Sequence, residues 1–349
     1  MARDGVLMEA LPIPTALAAW ADPVHGGADA EGVPLHDFST NSNACGPSPH
    51  ALQALQQADA TRYPDPGYGA LRERLGAFHG VAAERVVIAG SASEFIHRIT
   101  ALAARGGARA VSLPTHSYGD YARAAGVWGL EAVPAGVASP VQAGLQWACE
   151  PSSPLGQADA QLPTWGSALS LPGSLAVIDC AYAPLRLEGR TPEWPASAWQ
   201  LWTPNKALGL TGVRAAYAIA PAKGPAEDVA ALRALAPSWP VGAHGVALLQ
   251  AWTEPATQQW LVQCLPTLQA WKARQQALCT ALGWEVRPGS LANYFVARLG
   301  AAHIESSLQR LRTHGIKLRD CASFGLAGHV RLGVLPPASQ DALGRAWRG

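Results

Sequence analysis

Short runs of apolar and β-branched residues alternate with helix-length stretches through the middle of this chain. The pattern begins near Arg85 with VVIAG, ASEFIHRITALAARG, RAVSLP and YGDYARAAGVWG, and strand-like runs return at 145–149, 174–179, 200–203 and 213–220. Strands that alternate with helices of this length are typical of a mostly parallel sheet covered on both faces. The sequence therefore predicts an α/β fold.

The chain is long enough for more than one core. Its 349 residues exceed the roughly 250–300 at which a single core stops growing, so we expect two domains. Residues 1–50 are irregular and rich in Pro, Gly and Asn, which predicts an N-terminal arm and a segment of the small domain. We predict a large domain over 51–255 and an interdomain helix with a small α+β domain over 256–349. A helical pattern over 257–282 must start or kink at Pro266.

The charges of the chain balance, with 26 basic and 25 acidic side chains and no long run of either sign. This distribution does not favour nucleic acid or an anionic membrane as a partner, so we expect a small, discrete substrate. No stretch of about 18 uncharged apolar residues is present, and the first 20 residues make a poor secretory signal, which predicts a cytoplasmic protein. The six cysteines form no CxxC or Cys/His pair at zinc-ligand spacing, so no metal site is predicted.

The segment LWTPNKALGLTGVRAAYAIA carries the most chemistry. Lys206 follows a strand-like run directly, and small residues and glycines lead from it to Arg214 at the start of another strand. A lysine at a strand end is ordinarily a solvated surface residue, so its neighbours decide its interpretation. A lysine amine can form an imine with an aldehyde, and a planar guanidinium can hold a phosphate through two parallel hydrogen bonds.

This segment resembles the lysine motif of class I/II aminotransferases, the fold-type I pyridoxal-phosphate enzymes. The motif is Ser/Thr-x-x-Lys followed by Gly-Leu-x-Gly-x-Arg, and the matching residues are Thr203, Lys206, Gly209, Leu210, Gly212 and Arg214. The resemblance implies a large domain with a mostly parallel sheet of the seven-stranded type between helices, plus a smaller C-terminal α+β domain. It also implies that Lys206 binds pyridoxal 5′-phosphate as a Schiff base, while Thr203 and Arg214 contact the cofactor phosphate.

The segment SLAVIDCAYAP places Asp179 at the end of an apolar strand and Tyr182 three residues later. Taken alone, Asp179 has an equally good interpretation as the cap of a turn. The family has Asp-Glu-Ala-Tyr/Phe here, which implies that Asp179 pairs with the pyridine nitrogen and Tyr182 bonds the ring oxygen. A protonated pyridine can accept the electron pair released at the substrate Cα. Cys180 replaces the usual Glu, and we expect little effect from that change.

Two further segments match the family near the cofactor. In IAGSASEFIHRITAL a helix begins after a strand, and helix N-termini present free N–H groups to anions, although an ordinary capped helix is an equally good interpretation of the segment alone. The family has a Gly-x-Ser/Ala-x-Glu turn here, which implies that Ser91, Ala92 and Ser93 hold the phosphate. In PTHSYGDY, Tyr118 aligns best with the aromatic residue that stacks on the pyridine ring. His116 is a rival for that place, because the segment carries two residues more than the family's PTYxEY.

Tyr63 and Ser153 bear on the assembly and on the ring oxygen. Tyr63, in RYPDPGYG, matches a tyrosine that in this family reaches the phosphate of the neighbouring subunit, which implies a homodimer with shared active sites. Where relatives read Asn-Pro-Asn-Asn-Pro-Thr-Gly this chain has EPSSPLG, so Ser153 replaces the asparagine that contacts the ring oxygen. A serine is shorter, so a water or Tyr182 alone must serve there.

The two ends of the chain are similar to threonine-phosphate decarboxylases of the cobalamin pathway. VHGGADAEG and LHDFSTNSNACGPSP resemble that group's HGG and DFSxNxNPxGP patterns, and HGIKLRDCASFGLAGHVRLGV resembles its Arg-Asp-Cys-x-Ser-Phe stretch. The resemblance implies that Arg331 binds the substrate α-carboxylate, and that Arg319 and His25 handle the substrate phosphate. The implied reaction is decarboxylation of O-phospho-L-threonine to aminopropanol phosphate in cobalamin biosynthesis.

Two other functions stay open at this point. One is an aminotransferase of histidinol-phosphate type, which handles a phosphorylated amine in the same architecture; only substrate orientation separates it from a decarboxylase, and no motif here encodes that orientation. The other is a degenerate, non-catalytic protein that binds cofactor or a partner. The presence of Lys206, Asp179 and Arg214 counts against this last interpretation.

Overall fold

In a computed structural model of the chain, the structure describes residues 25–136, 143–165, 174–300 and 304–349. The first 20 residues, on which the secretory-signal prediction falls, lie outside these ranges, as does half of the predicted arm. In chain order the strands are β1 (His36–Asp37), β2 (Val86–Ala89), β3 (Ala110–Leu113), β4 (Glu131–Pro134), β5 (Ala143–Cys149), β6 (Leu175–Asp179), β7 (Trp199–Trp202), β8 (Ala216–Ile219), β9 (Glu285–Val286), β10 (Tyr294–Arg298), β11 (Ile316–Lys317), β12 (Arg319–Asp320) and β13 (His329–Gly333).

The helices of the same ranges are α1 (Pro49–Gln56), α2 (Gly69–His79), α3 (Ala92–Arg105), α4 (Gly119–Val127), α5 (Ala226–Ala234), α6 (Ala243–Trp252), α7 (Pro255–Ala281), α8 (Ile304–Thr313) and α9 (Pro337–Arg348). In this part of the chain, no helix combines the length and the apolar character that a membrane crossing requires.

Seven strands form the central sheet in the order β2-β8-β7-β6-β5-β3-β4. The neighbours from β7 to β4 are all parallel, and β8 alone runs antiparallel to both of its neighbours. Helices cover both faces, as a mostly parallel sheet requires. The predicted α/β fold with a mostly parallel seven-stranded sheet is therefore confirmed.

Strand β2 shows how the sheet divides the interior into two cores. Successive side chains of a strand point to opposite faces, so Val86 and Ile88 pack with α1, α2 and α6, while Val87 and Ala89 pack with α3, α4 and α5. All four residues are buried, which explains why the strand is apolar along its whole length instead of alternating.

A smaller antiparallel sheet, in the order β12-β13-β10-β9, forms a separate core with α8 and α9. Phe38, directly after β1, is fully buried in this core, and β1 pairs in parallel with β11. The predicted arm is thus more than a surface extension from residue 25 onward, because an apolar residue next to a short strand buries its side chain against the small sheet. The domain limits at 50 and 255 stay a prediction.

Helix α7 differs from its sequence prediction at both ends, and of the two alternatives for Pro266 the structure excludes the helix start. It begins at Pro255, two residues before the predicted start, and runs through Pro266 to Ala281. A proline at the first helical position costs no hydrogen bond, so Pro255 suits the start. Pro266 does not start the helix, because the turns on either side of it are held by apolar packing at Leu261 and Leu268.

Candidate active site

A cavity of about 730 Å³ lies where the parallel strands of the large sheet end. Its wall includes residues that follow the carboxyl ends of β2, β3, β5, β6 and β7, the edge at which open α/β sheets bind ligands. The sequence-predicted site residues in the wall are His25, Ser91, Ala92, Ser93, Tyr118, Ser153, Asp179, Tyr182, Thr203, Lys206, Arg214, Arg319 and Arg331.

Tyr63 and His116 do not line this cavity. Tyr63 is 78% exposed and its ring stacks on Trp239, with centroids 4.3 Å apart. The Nδ1 atom of His116 lies 2.7 Å from the carbonyl oxygen of Phe324. Of the two candidates for the stacking position, the structure therefore brings Tyr118 to the cavity and leaves His116 outside it.

Lys206 lies on a loop that the N-terminal segment holds in place. The N–H of Asn43 donates to the carbonyl oxygen of Lys206 (2.9 Å), and the amide of Asn43 donates to that of Ala207 (3.0 Å). Gly209 has φ +70°, and a Cβ there would lie 2.5 Å from the carbonyl oxygen of Gly46, so only glycine fits. The ammonium nitrogen of Lys206 lies 5.0 Å from the centre of the Tyr182 ring.

Asp179 is a buried carboxylate at the end of β6. Its Oδ2 accepts a hydrogen bond from the hydroxyl of Tyr121 (2.7 Å), and its Oδ1 accepts one from the N–H of Ala181 (2.9 Å). Burial raises the pKa of Asp179, and the Tyr121 hydrogen bond, the charge of Lys206 and the Ala181 bond act against that rise. The carboxylate thus sits in the apolar surroundings that would strengthen its pairing with a cation.

The N-terminus of α3 contributes donors to the cavity wall. The hydroxyl of the N-cap Ser91 accepts from the N–H of Glu94 (3.1 Å), and the Glu94 carboxylate accepts from the N–H of Gly90, the residue before the N-cap (3.1 Å). Thr203, whose hydroxyl is buried, and Arg214, which is exposed, line the same cavity. Helix N–H groups, a hydroxyl and a guanidinium together suit a phosphate.

Two buried arginines form another basic part of the wall. Arg331 donates through Nη1 to the hydroxyl of Ser153 and through Nη2 to the carbonyl oxygen of Ser39, both at 3.2 Å. Arg319 donates through Nη2 to the hydroxyl of Ser323 at 2.7 Å. Burial and the nearby charge of Arg331 lower the pKa of Arg319. A ligand with anionic groups would relieve this repulsion.

The HGG segment packs directly against the part of the chain that follows β1. A Cβ on Gly26 would lie 2.2 Å from the carbonyl oxygen of Ser39, so a glycine is required there. The N–H of Gly27 donates to the hydroxyl of Ser39 at 2.9 Å. His25 is thereby carried to the cavity wall, where its ring centroid lies 6.3 Å from that of Tyr118.

Sequence reasoning missed Tyr121 and Asn41. The amide of Asn41 donates to the hydroxyl of Tyr182 at 3.3 Å, and Asn41 lines the cavity. Tyr121 is the last residue of the PTHSYGDY match, so the pattern contained it without assigning it a task. The structure also shows what Ser153, which replaces the family's asparagine, contacts: its hydroxyl accepts a hydrogen bond from Arg331.

Several buried polar atoms in the cavity wall have no hydrogen-bond partner within the described ranges. They are Asn41 Oδ1, Thr203 Oγ1, Asn205 Oδ1 and Arg331 Nε. Buried polar groups are normally paired, so these atoms suit a polar, anionic ligand such as a phosphorylated cofactor and its substrate. Across the parts of the chain that the structure describes, no group of three His, Cys, Asp or Glu side chains is arranged to hold a metal ion.

Comparison with known proteins gives one family and several relatives. A family model described as aminotransferase class I and II matches residues 33–347. Histidinol-phosphate aminotransferase 2 of Burkholderia mallei is 28% identical over 336 residues, which cover 89% of this chain and 91% of that protein.

Two solved structures resemble the fold at low sequence identity. Histidinol-phosphate aminotransferase from Sinorhizobium meliloti, in complex with pyridoxal-5′-phosphate, gives a TM-score of 0.79 at 21% identity and covers 98% of this chain and 99% of its own. L-Threonine-O-3-phosphate decarboxylase from Porphyromonas gingivalis gives a TM-score of 0.72 at 21% identity, with 89% and 98% covered.

Proposed function

The chain belongs to the class I and II aminotransferase family, and we propose that it is a pyridoxal-phosphate-dependent enzyme that acts on a phosphorylated amino compound. The observation that carries this proposal is the content of one cavity: a lysine amine, a buried carboxylate, and two sets of anion-binding groups. One set is the α3 N-terminus with Thr203 and Arg214, and the other is Arg319 with Arg331. We assign the first set to the cofactor phosphate and the second to the substrate.

The remaining groups divide the chemistry among them. When bound, the cofactor supplies an electron-accepting ring that stabilises negative charge at the substrate Cα. Lys206 would hold the cofactor aldehyde and would carry protons to and from the reacting carbon through its Nζ atom. Asp179 would keep a proton on the ring nitrogen, Tyr182 would bond the ring oxygen, and Tyr118 would cover the ring.

Transamination of a substrate of the histidinol-phosphate type is the better supported reaction. Curated relatives that match most of this chain at 27–28% identity include several histidinol-phosphate aminotransferases. Such a reaction needs one site that binds in turn a phosphorylated amine, which gives up its amino group, and a dicarboxylic 2-oxo acid, which takes that group. Arg319 and Arg331 have the positive charge and the donor geometry for both ligands.

Decarboxylation of O-phospho-L-threonine is a second candidate, favoured by one specific arrangement. His25 and Arg319 belong to the two segments that resemble the decarboxylases, and both line the same cavity although they are far apart in sequence. A substrate with a phosphate at one end and an α-carboxylate at the other would occupy His25 and Arg319 with the first group and Arg331 with the second.

Incubation with each substrate separates the two reactions. With O-phospho-L-threonine, release of carbon dioxide that needs no 2-oxo acid supports decarboxylation. With histidinol phosphate, turnover that depends on 2-oxoglutarate supports transamination. A purified protein that stays colourless with added pyridoxal phosphate and turns over neither substrate would contradict both and favour the non-catalytic alternative.

We further propose that the enzyme is a homodimer in which Tyr63 reaches the cofactor phosphate of the neighbouring subunit. Two observations support this proposal: Tyr63 is largely exposed and is braced by its stack on Trp239, and Arg214, which lines the cavity, is exposed. An exposed aromatic pair of this kind is typical of a subunit interface.

A further inference from the structure

Tyr121 is fully buried beside Asp179, and its hydroxyl is fixed in direction. Its ring stacks on Trp147, with centroids 4.4 Å apart and planes 12° apart, and meets Tyr118 edge to face at 5.8 Å. The ring therefore cannot swing its hydroxyl away from Asp179 without disturbing packing on both sides. The packing around the ring therefore fixes the 2.7 Å hydrogen bond from the Tyr121 hydroxyl to Asp179 Oδ2.

We propose that Tyr121 is a positioning residue that orients the Asp179 carboxylate towards the cavity and keeps it ionised. This inference rests on the proposed function, in which Asp179 faces the ring nitrogen of the cofactor. With the Ala181 N–H on Oδ1 and the Tyr121 hydroxyl on Oδ2, both oxygens are held, so the carboxylate plane cannot turn. Each oxygen keeps further lone-pair capacity for the cavity side.

The hydroxyl of Tyr121 is suited to donate over a wide pH range. Burial and the adjacent Asp179 charge raise its pKa well above the usual value, so it stays protonated. A hydrogen bond to a charged acceptor in apolar surroundings is among the stronger ones in proteins. Without that donor, burial alone would favour the protonated form of Asp179, which cannot hold a cationic ring nitrogen.

The other titratable groups that face Asp179 come from several elements. They are Cys149 at the end of β5, Cys180 after β6, Lys206 after β7 and Tyr294 on β10. Burial raises the pKa of the two thiols and of Tyr294 well above their usual values, so these groups stay neutral. Changes in the titration of Asp179 therefore report on Tyr121 and Lys206.

The first measurement uses the cofactor-free protein. Infrared difference spectra, with Asp179→Asn as the reference, follow protonation of the Asp179 carboxyl across pH in wild type and in Tyr121→Phe. Removing a donor to the charged form raises the pKa of Asp179, so its half-protonation point should move up by about one to two pH units. An unchanged titration in a folded Tyr121→Phe protein overturns the inference.

Tyr217→Phe is the matched control. Tyr217 is also fully buried, and its hydroxyl bonds to His79 (2.7 Å) and to Trp252 (2.9 Å) in the core on the other face of the sheet. Tyr217→Phe should leave the half-protonation point of Asp179 at its wild-type pH. An equal shift in Tyr217→Phe would show a general effect of removing a buried hydroxyl, and would also overturn the inference.

The second measurement is the affinity for pyridoxal phosphate as a function of pH. Tyr121→Phe should bind more weakly by about tenfold for each unit of pKa shift at the acid end, and should approach wild type where Asp179 is ionised in both proteins. A loss of equal size at every pH would indicate a merely structural role and contradict the proposal.

If Tyr121→Phe does not fold, the inference is tested by following the tyrosine hydroxyl, instead of the carboxyl, as the pH changes. In wild type, the C–O stretch of one buried tyrosine should shift as Asp179 titrates, and Asp179→Asn should abolish that shift. Its absence in wild type overturns the inference. These cofactor-free readouts do not depend on the proposed function, which fails separately if pyridoxal phosphate does not attach to Lys206.

Discussion

Arg319 and Arg331 lie directly opposite each other on the antiparallel strands β12 and β13. Both are buried, and the charge of Arg331 contributes to the lowered pKa of Arg319. Like charges on directly opposed strand positions destabilise a sheet, so this pairing is costly in the absence of an anion. The pair therefore belongs to function more than to folding.

Arg331→Ala should raise KM for the anionic substrate by about 10- to 100-fold, because a hydrogen bond to a charged group contributes about 1.5–3 kcal/mol. Binding of pyridoxal phosphate should stay close to wild type, because the cofactor phosphate is assigned to the α3 end. Steady-state kinetics and a cofactor titration check both parts. Arg298→Ala on the neighbouring strand β10, where the side chain is 64% exposed, is the control. Loss of the cofactor from Arg331→Ala would show that the residue had been misassigned.

Lys206→Ala should abolish turnover, because the proposed attachment point and proton carrier is the Nζ atom that this change removes. Borohydride reduction of the wild type with bound cofactor, followed by peptide mass mapping, should locate the adduct on Lys206. Lys223→Ala, at an exposed position, should retain wild-type rates. Substantial activity in Lys206→Ala, or an adduct on another residue, would contradict the assignment.

Thr203→Val should weaken cofactor binding by about 1–3 kcal/mol without destabilising the cofactor-free protein. Its hydroxyl is buried with no partner among the described residues, so only the bound phosphate would lose a donor. Thr257→Val, a second buried threonine in the same situation on α7, is the control and should not change cofactor affinity. Equal losses of affinity in both variants would remove Thr203 from the phosphate site.

His79 should make the protein lose stability as the pH falls from neutral. Burial lowers the pKa of His79 from 6.5 to about 4, so the folded state favours the neutral ring and the unfolded state takes up a proton first. The stabilising contribution is complete above pH 6.5, declines through the window down to pH 4, and amounts to about 3 kcal/mol. Urea unfolding at pH 7 and pH 4.5 should show a smaller pH slope in His79→Gln than in the exposed control His50→Gln. Equal pH slopes of the unfolding free energy in the two variants would contradict this prediction.

Subunits with complementary defects test the role of Tyr63. Lys206→Ala and Tyr63→Ala homodimers should each be impaired, the second through weaker cofactor binding. If Tyr63 serves the neighbouring site, a mixed dimer carries both defects at one site and has one intact site. A purified mixed dimer should then have about half of the wild-type activity, although each parent homodimer is impaired, and light scattering should report two chains. A monomer of full activity would exclude the shared site.

The large sheet was predictable because its signal is local. Buried strands such as β2 are apolar runs, and each is followed by a helix with its own cap, as Ser91 shows for α3. The bounds of α7 were less predictable, because tertiary packing continues the helix through Pro266. No short window of sequence contains the information on that packing.

Residues of the candidate site that belong to a sequence motif could be predicted. Residues that are brought to the site by contacts between distant segments were missed. Thr203, Lys206 and Arg214 share one motif. The contact of Asn41 with Tyr182 joins residues 141 positions apart, and a single sequence holds no record of such a pair. The Ser153 substitution was visible as a departure, but its contact with Arg331 required the fold.

The stretch between Phe38 and Asn43 links two parts of the molecule. The carbonyl oxygen of Phe38 accepts from the N–H of Gly333 in the small sheet (2.7 Å), while Asn43 holds the backbone of Lys206 (2.9 Å). The four residues between them can reach at most about 14 Å when extended. Because this connection is short, we expect a rotation of the small sheet to pull on the lysine loop, so the position of the sheet that carries Arg319 and Arg331 and the position of Lys206 are coupled through the chain itself.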